Sequence, residues 1–402
     1  MILRYEPIKR SEVFSQAGDS WNHWTWQLQN ILGTHDDFSR LFSLFNDEIE
    51  GLKQALFKVA ATPYYASLAL AQEGPHASVP GPLRRIIIPT DLEAEEGEQQ
   101  MLDPLDENRH SPTPRIIHRY SDRVLFLVTD TCSVYCRFCT RKRFTGQEEG
   151  LINNREYQGA LHYIRTHPGL REVILSGGDP LTLSNKVLGR ILGDLRAIPH
   201  VEIIRIGTRM PVVCPMRVDL GLASIIKEHG PVYLMTHFSH PYELTEEAKN
   251  ALTLLADHGI PLFNQMVLLN GVNNHPAIVQ ALSRRLLYLR VKPYYMFQCD
   301  PSQGTDHLRT TVESSEALVR ELWGHLSGLA MPALSLDIPG GGGKTSLVPN
   351  FMTSQGDGVR EYRGWDGQTG QYRNPKVEQT LPSDASRYEA EWSQLKNAKL
   401  KE

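Results

Sequence analysis

Five cysteines in 402 residues are too few, and odd in number, for a disulfide framework. No apolar run approaches the length needed to span a bilayer; the longest, such as Val124–Val128, are short. The N-terminus, Met-Ile-Leu-Arg-Tyr-Glu-Pro, lacks the apolar stretch of a secretion signal. Charge of one sign is also lacking. Lys and Arg number 42 against 46 Asp and Glu, for a net charge of -4, so no nucleic-acid or other polyanionic partner is expected. No internal repeat or low-complexity tract marks a solenoid or a linker. These absences leave a cytoplasmic chain without a membrane partner, in a compartment that keeps thiols reduced. It is long enough for one large core with appendages.

What is present is concentrated. Cys132, Cys136 and Cys139 stand in Cys-x3-Cys-x2-Cys spacing. Three thiolates can hold three irons of a [4Fe-4S] cluster and leave the fourth open to a ligand that is not protein. A structural zinc site wants four ligands, commonly as two pairs. With Phe138 before the third cysteine, the segment resembles the signature of the radical S-adenosylmethionine (radical SAM) enzymes. In that family the cluster donates an electron that cleaves S-adenosylmethionine to a 5′-deoxyadenosyl radical. Arg137, Arg141, Lys142 and Arg143 form a basic run through the same segment. A solvated loop is one reading, but the place beside the cysteines favours anion binding.

Strand-like runs begin near Arg123, Glu172, Val201, Pro231, Pro261 and Val291, and after the first the step is about thirty residues, one βα unit. The segments between are helix-like. In Leu244–His258, Leu252, Leu254 and Leu255 recur below a Thr245-Glu246-Glu247 start. Near-continuous apolar strands suggest a parallel sheet covered by helices. Six units predict an α/β fold, a partial (β/α)6 barrel over 111–300, with chemistry at the carboxyl ends of the strands. Residues 1–110 read as a helical region in which Trp21, Trp24 and Trp26 pack. Leu92–Gln100 reads as an acidic solvated stretch. Residues 301–402 read as a C-terminal extension with glycine turns after 350 and a frayed helix over Gln394–Glu402. Cys214 and Cys299 are expected to be buried as small apolar groups.

The extension carries Asp337-Ile-Pro-Gly-Gly-Gly-Gly-Lys-Thr345. A nucleotide-binding loop would need glycine at 338, which is Ile, and Pro349 interrupts the helix such a loop feeds. Two readings remain. One is a plain glycine turn; the other is a lysine on a glycine hinge, free to form and release a Schiff base with pyridoxal phosphate (PLP).

A set of motifs decides between them. His118-Arg-Tyr-Ser-Asp-Arg-Val-Leu125, the cysteine segment continuing to Gly146, SGGDPLTLS, VEIIRIGTR, THFSHP, YYMFQCD and PGGGGKTSLVPN occur in one order. Together they resemble the PLP-dependent radical SAM aminomutases of the lysine 2,3-aminomutase family. The resemblance implies a partial βα barrel that uses a [4Fe-4S] cluster, S-adenosylmethionine and PLP. It implies an isomerase that moves an α-amino group to the β carbon, by hydrogen abstraction from that carbon.

By the same resemblance Lys344 is the catalytic PLP lysine and Arg119 and Arg123 anchor the PLP phosphate. Ser176, Gly177, Gly178 and Asp179 contact the methionine end of S-adenosylmethionine, and His237 and Gln265 are further contacts. Arg141 clamps the substrate carboxylate. Asp300 and Asp337 receive the distal ammonium of lysine. A homo-oligomer and an electron donor such as flavodoxin or ferredoxin are implied. Two departures stand out. Phe138 replaces the His that family members often carry. No cysteine follows Cys299, where some members bind zinc, so structural zinc is not expected.

Lysine interconverting with β-lysine is the expected reaction. Sister enzymes acting on arginine or glutamate, and a shorter relative acting on a protein lysine, are the alternatives within the class. A non-catalytic iron–sulfur sensor would have no use for Lys344, Arg141 and the paired aspartates.

Overall fold

The computed structural model describes residues 5–74, 77–146, 152–356, 358–375 and 393; the expected C-terminal helix lies outside them. All six expected strands form. They are β2 (Arg123–Thr129), β3 (Glu172–Gly177), β4 (Ile203–Gly207), β5 (Val232–Thr236), β6 (Leu262–Leu268) and β7 (Val291–Gln298), following an antiparallel β1 (Ile116–Tyr120). Each of β2 to β7 pairs in parallel with the next. The sheet then continues beyond the expected sixth unit. β8 (Ala333–Ile338) adds in parallel to β7, and β9 (Gly343–Ser346) turns back antiparallel on β8. Both lie in the segment read from sequence as the C-terminal extension, yet they are bonded into the barrel sheet. The strand order follows the sequence from β1 to β9.

The covering helices start where side chains cap them. Asn153, Ser184, Asp219, Thr245, His275 and Thr311 each accept a backbone N–H from the first turn of the helix that follows. Asn, Ser, Asp and Thr caps of this kind are worth about 1 kcal/mol each. Each helix buries one stripe. In Asn154–Thr166 it is Tyr157, Ala160, Leu161 and Ile164; in Asn185–Arg196 it is Leu188, Ile191, Leu192 and Leu195. In Glu246–Asp257 the buried face is Ala248, Ala251, Leu252 and Leu255, with Leu254 at its margin. That stripe spacing of three and four is what packs a helix on a sheet.

The strands alternate more than their composition suggests. Val173, Leu175, Ile204 and Ile206 are buried. Their neighbours Ile174, Ser176, Arg205 and Gly207 line an interior cavity. Side chains on a strand alternate between faces, so a barrel with a ligand-sized lumen needs polar positions within apolar runs.

The described part of the N-terminal region is helical, in short segments from Trp24–Gln29 to Pro82–Ile87. Trp21 packs on Trp26 at 6.0 Å. The helix Pro63–Glu73 docks on the barrel through Tyr64, whose hydroxyl lies 2.6 Å from Thr245 Oγ1. The acidic stretch from Leu92 is not wholly solvated. Glu93 is buried, and its carboxylate accepts from Arg137 Nε at 2.7 Å. After residue 350 the expected turns connect a separate antiparallel sheet, β10 (Met352–Gly356), β11 (Val359–Arg363) and β12 (Thr369–Arg373). No helix among the described residues is long and apolar enough to cross a membrane.

Candidate active site

A cavity of about 570 Å³ opens at the carboxyl ends of the parallel strands. Its lining includes Cys132, Cys136 and Cys139, Arg119 and Arg123, Arg141, Ser176 through Asp179, His237, Gln265, Asp300, Asp337 and Lys344. Every site residue expected from sequence therefore borders one space, of the size that holds small molecules.

The cysteine loop leaves β2 and is pinned by the turn after β3. Gly178 N–H donates to Thr129 O at 2.7 Å, and Asp179 N–H donates to Thr131 O at 2.9 Å. The approach is so close that a Cβ on Gly177 would lie 2.1 Å from Thr129 O, and one on Gly178 would lie 2.2 Å from Thr131 O. The glycines are therefore required by contact with the backbone that delivers Cys132. Asp179 is spent locally. Its carboxylate accepts from Thr208 Oγ1 at 2.7 Å, Arg209 N–H at 2.6 Å and Leu181 N–H at 3.0 Å. It ties the turn to the end of β4.

Burial, then repulsion from the neighbouring cysteines, pushes the Cys132 and Cys139 thiols up. Three thiolates here need cations to stay charged. Among the described residues no three His, Cys, Asp or Glu side chains converge on a single ion. Thiols that each serve a different iron of a cluster have no need to converge. The loop fits such a group.

The basic run is mostly committed to the fold. Arg137 pairs with Glu93, Lys142 Nζ donates to Gln303 O at 3.0 Å, and Arg143 pairs with Asp103 at 2.8 Å. Arg141 faces the cavity. Its Nε and Nη2 meet the Glu107 carboxylate at 2.9 and 2.8 Å, and Nη1 donates to Ser176 Oγ at 3.2 Å. A guanidinium has two edges that can grip a carboxylate. Glu107 holds one, and the Nη1–Nη2 edge remains for an incoming anion. Glu107 was not legible as a site residue; its only signal was an acid in a polar stretch.

At the far wall the glycine run makes the hairpin turn between β8 and β9. Gly340, Gly341 and Gly343 take φ of 76, 88 and 80°. The glycines thus serve as a turn, and Lys344 stands in a strand directly across from Asp337. Lys344 Nζ meets the Asp337 carboxylate at 3.1 Å and sits 5.2 Å from the centre of the Phe297 ring. Arg119 Nη1 lies 3.9 Å from Asp337, while its buried Nε has no hydrogen-bond partner among the described residues. Arg123 stacks on Tyr120 at 4.0 Å and pairs with Asp122 at 2.6 Å. A lysine on an aromatic floor beside an arginine with a donor to spare fits a phosphate-bearing aldehyde such as PLP.

Asp300 follows β7. Burial and then the nearby Asp337 push its carboxyl up to about 7, with Lys344 and Arg119 pulling the other way. Its Oδ1 is buried without a partner among the described residues. Of the two carboxylates here, Asp337 holds the lysine and Asp300 is left over. The His237 ring packs tilted against Phe138, with centroids 5.2 Å apart, so the departure from His at 138 makes an aromatic wall. Burial and Arg209 push His237 down to about 3, so it is neutral; its buried Nε2 is also unpartnered among the described residues.

Comparison with known proteins follows this geometry. The Radical SAM superfamily model matches residues 126–280, and the model for lysine-2,3-aminomutase matches 319–401. The L-lysine 2,3-aminomutase of Clostridium subterminale is 44% identical over 91% of this chain and 88% of its own length. That of Bacillus subtilis is 41% identical over 92% of this chain and 78% of its own. The glutamate 2,3-aminomutase of Clostridioides difficile is 39% identical over 88% and 83%.

Proposed function

We propose, since this chain belongs to the lysine 2,3-aminomutase family of radical SAM enzymes, that it interconverts L-lysine and β-lysine. The observation that carries the choice of substrate is Asp300, a buried carboxylate with an unpartnered oxygen beside a second carboxylate. A lysine ammonium brings the missing charge and three donors. A glutamate side chain would add a third negative charge to the same corner.

The cluster and S-adenosylmethionine supply, when bound, a radical that removes hydrogen from carbon, and PLP supplies a conjugated system across which nitrogen can move. The chain's residues hold and orient. Cys132, Cys136 and Cys139 would hold three irons. The turn from Ser176 to Asp179, with His237 and Gln265, would border S-adenosylmethionine. Arg119 and Arg123 would take the phosphate, and Lys344 the aldehyde carbon. Arg141, already gripped by Glu107, presents its free edge to the substrate carboxylate. Phe138, Phe297 and Tyr295 give the cavity aromatic walls. Reduction of the cluster calls for an external one-electron donor of the flavodoxin or ferredoxin type, which suits a reducing cytoplasm. A homo-oligomer is part of the same reading.

Borohydride reduction of the PLP-loaded enzyme is expected to fix the cofactor on Lys344, read by peptide mass mapping. A label on another lysine would remove the basis for the assignment. The substrate is settled by anaerobic incubation of reconstituted enzyme with L-lysine, L-arginine and L-glutamate, followed by analysis of β-amino products. Lysine is expected to exceed arginine, whose planar head is larger, and both to exceed glutamate by far. Preferred turnover of glutamate would overturn the reading.

The raised carboxyl of Asp300 gives a pH dependence with a definite sign. Below about 7 it is protonated and must lose a proton to receive a cation. KM for lysine is therefore expected to fall as pH rises through about 7, by up to tenfold per unit on the acid side. In Asp300→Asn that dependence should vanish, and a slope surviving in the variant would assign it to another group.

A further inference from the structure

Arg209, at the end of β4, is charged, buried and without a part in the reading above. Its Nη1 lies 2.9 Å from Cys136 Sγ. Nη2 donates to Glu243 Oε1 at 2.8 Å and to the Tyr65 hydroxyl at 3.0 Å, and Nε reaches His237 O at 3.4 Å. The cation also sits against the rings of Tyr65 and Phe138, at 5.1 and 5.8 Å. Glu243 is fully buried and fully used. Its Oε1 accepts from the Tyr65 hydroxyl at 2.6 Å, and its Oε2 from the backbone N–H groups of Ser239 and His240 at 2.5 and 2.9 Å.

A buried ion pair is weak evidence for stability, because well-packed apolar groups of the same volume often do as well. Here the pair places one donor on a sulfur. Hydrogen bonds to cluster sulfurs and net local charge set the reduction potential of iron–sulfur centres. An N–H donor withdraws density from the thiolate. A positive charge favours the cluster state that has gained an electron. Glu243 opposes that charge from the far side of the guanidinium.

We propose that Arg209 is a positioning residue for the cluster, holding Cys136 by a charged hydrogen bond and raising the cluster's reduction potential, with Glu243 setting how much of its charge is felt. The step it serves is the entry of one electron from the external donor, [4Fe-4S]2+ plus one electron giving [4Fe-4S]+. The proposal rests on the cluster reading.

The test is an EPR-monitored redox titration of the reconstituted full chain, without S-adenosylmethionine, with iron counted in each sample. Arg209→Gln is expected to lower the ratio of reduced to oxidised cluster at a fixed ambient potential by about tenfold, equivalent to about 59 mV for one electron. Glu243→Gln is expected to shift in the opposite direction, and Tyr65→Phe, which changes no charge, to shift less than threefold. Arg209→Lys keeps the charge and is expected to restore most of the potential. If Arg209→Gln does not hold its iron, Arg209→Lys and Glu243→Gln carry the comparison. A merely structural role moves both charge variants the same way, or neither, and would overturn the proposal. So would an unchanged potential together with weakened S-adenosylmethionine binding in a parallel equilibrium binding assay, which would make Arg209 a ligand of that molecule. Wild-type protein that takes up no iron would instead remove the cluster reading itself.

Discussion

Cys132→Ala, Cys136→Ala and Cys139→Ala are each expected to reduce S-adenosylmethionine cleavage to background. The loss is expected to be all-or-none because each thiolate would hold a different iron, so two could not substitute for three. The structure gives the expectation a local basis. Cys139 Sγ accepts the Arg141 N–H at 3.4 Å, Cys136 meets Arg209, and Cys132 leaves the backbone that the glycine turn holds in place. Anaerobic reconstitution is expected to give about four irons per wild-type chain and fewer in each variant. Cleavage is read by the 5′-deoxyadenosine formed with a chemical reductant. A wild-type protein binding only zinc, or a variant that still cleaves at the wild-type rate, would sink the assignment.

Asp300→Ala is expected to lower kcat/KM for lysine by about 10²- to 10⁴-fold. Removing one partner of a buried charge pair costs about 3–5 kcal/mol, and each 1.36 kcal/mol is a factor of ten. PLP and the cluster should remain bound, because Asp300 touches neither the cysteine loop nor the Lys344 nitrogen directly. Asp337→Ala is a different experiment. Asp337 also holds Lys344 Nζ, so its loss frees that amine and is expected to alter PLP loading as well as substrate binding. The absorbance of the bound cofactor separates the two variants. Unchanged lysine kinetics in both would mean that the distal amine is received elsewhere.

The parts of the fold that were legible are those written in local sequence. The six central strands are apolar runs at a regular step, and their helices begin at residues that cap by their own side chains. The edge of the sheet at which the site forms followed from those strands. The barrel's continuation was not legible. β8 follows β7 at a longer step than the regular one, with the polar stretch from Asp300 between them, and β9 is four residues long and pairs only with β8. The small sheet over Met352–Arg373 escaped because its strands are largely exposed and lack the apolar alternation that marks a buried face. Acidic residues deceived for a similar reason. Glu93 and Glu107 sit in polar stretches, and only the folded chain brings Arg137 and Arg141 to them. Arg209 stood in view at a strand end, but its meaning lies in contacts with Tyr65, Cys136 and Glu243 from three other segments.

The barrel wall has one unsewn joint. β1 and β9 end the nine-strand order and share no backbone ladder; the joint is spanned by the Lys344 N–H on the Tyr120 hydroxyl at 3.1 Å and by Arg119 facing Asp337. β9 is four residues long and bonded to a single neighbour. The lysine expected to carry the cofactor thus rides on a four-residue edge strand, while the cysteine loop leaves β2, which is paired on both sides. A short edge strand of this kind is expected to open locally before the interior strands do. Amide exchange offers the check, with β9 expected to exchange well ahead of β2 to β7 and to slow when the cofactor is bound. Equal protection along all nine strands would mean that the wall opens only as a whole.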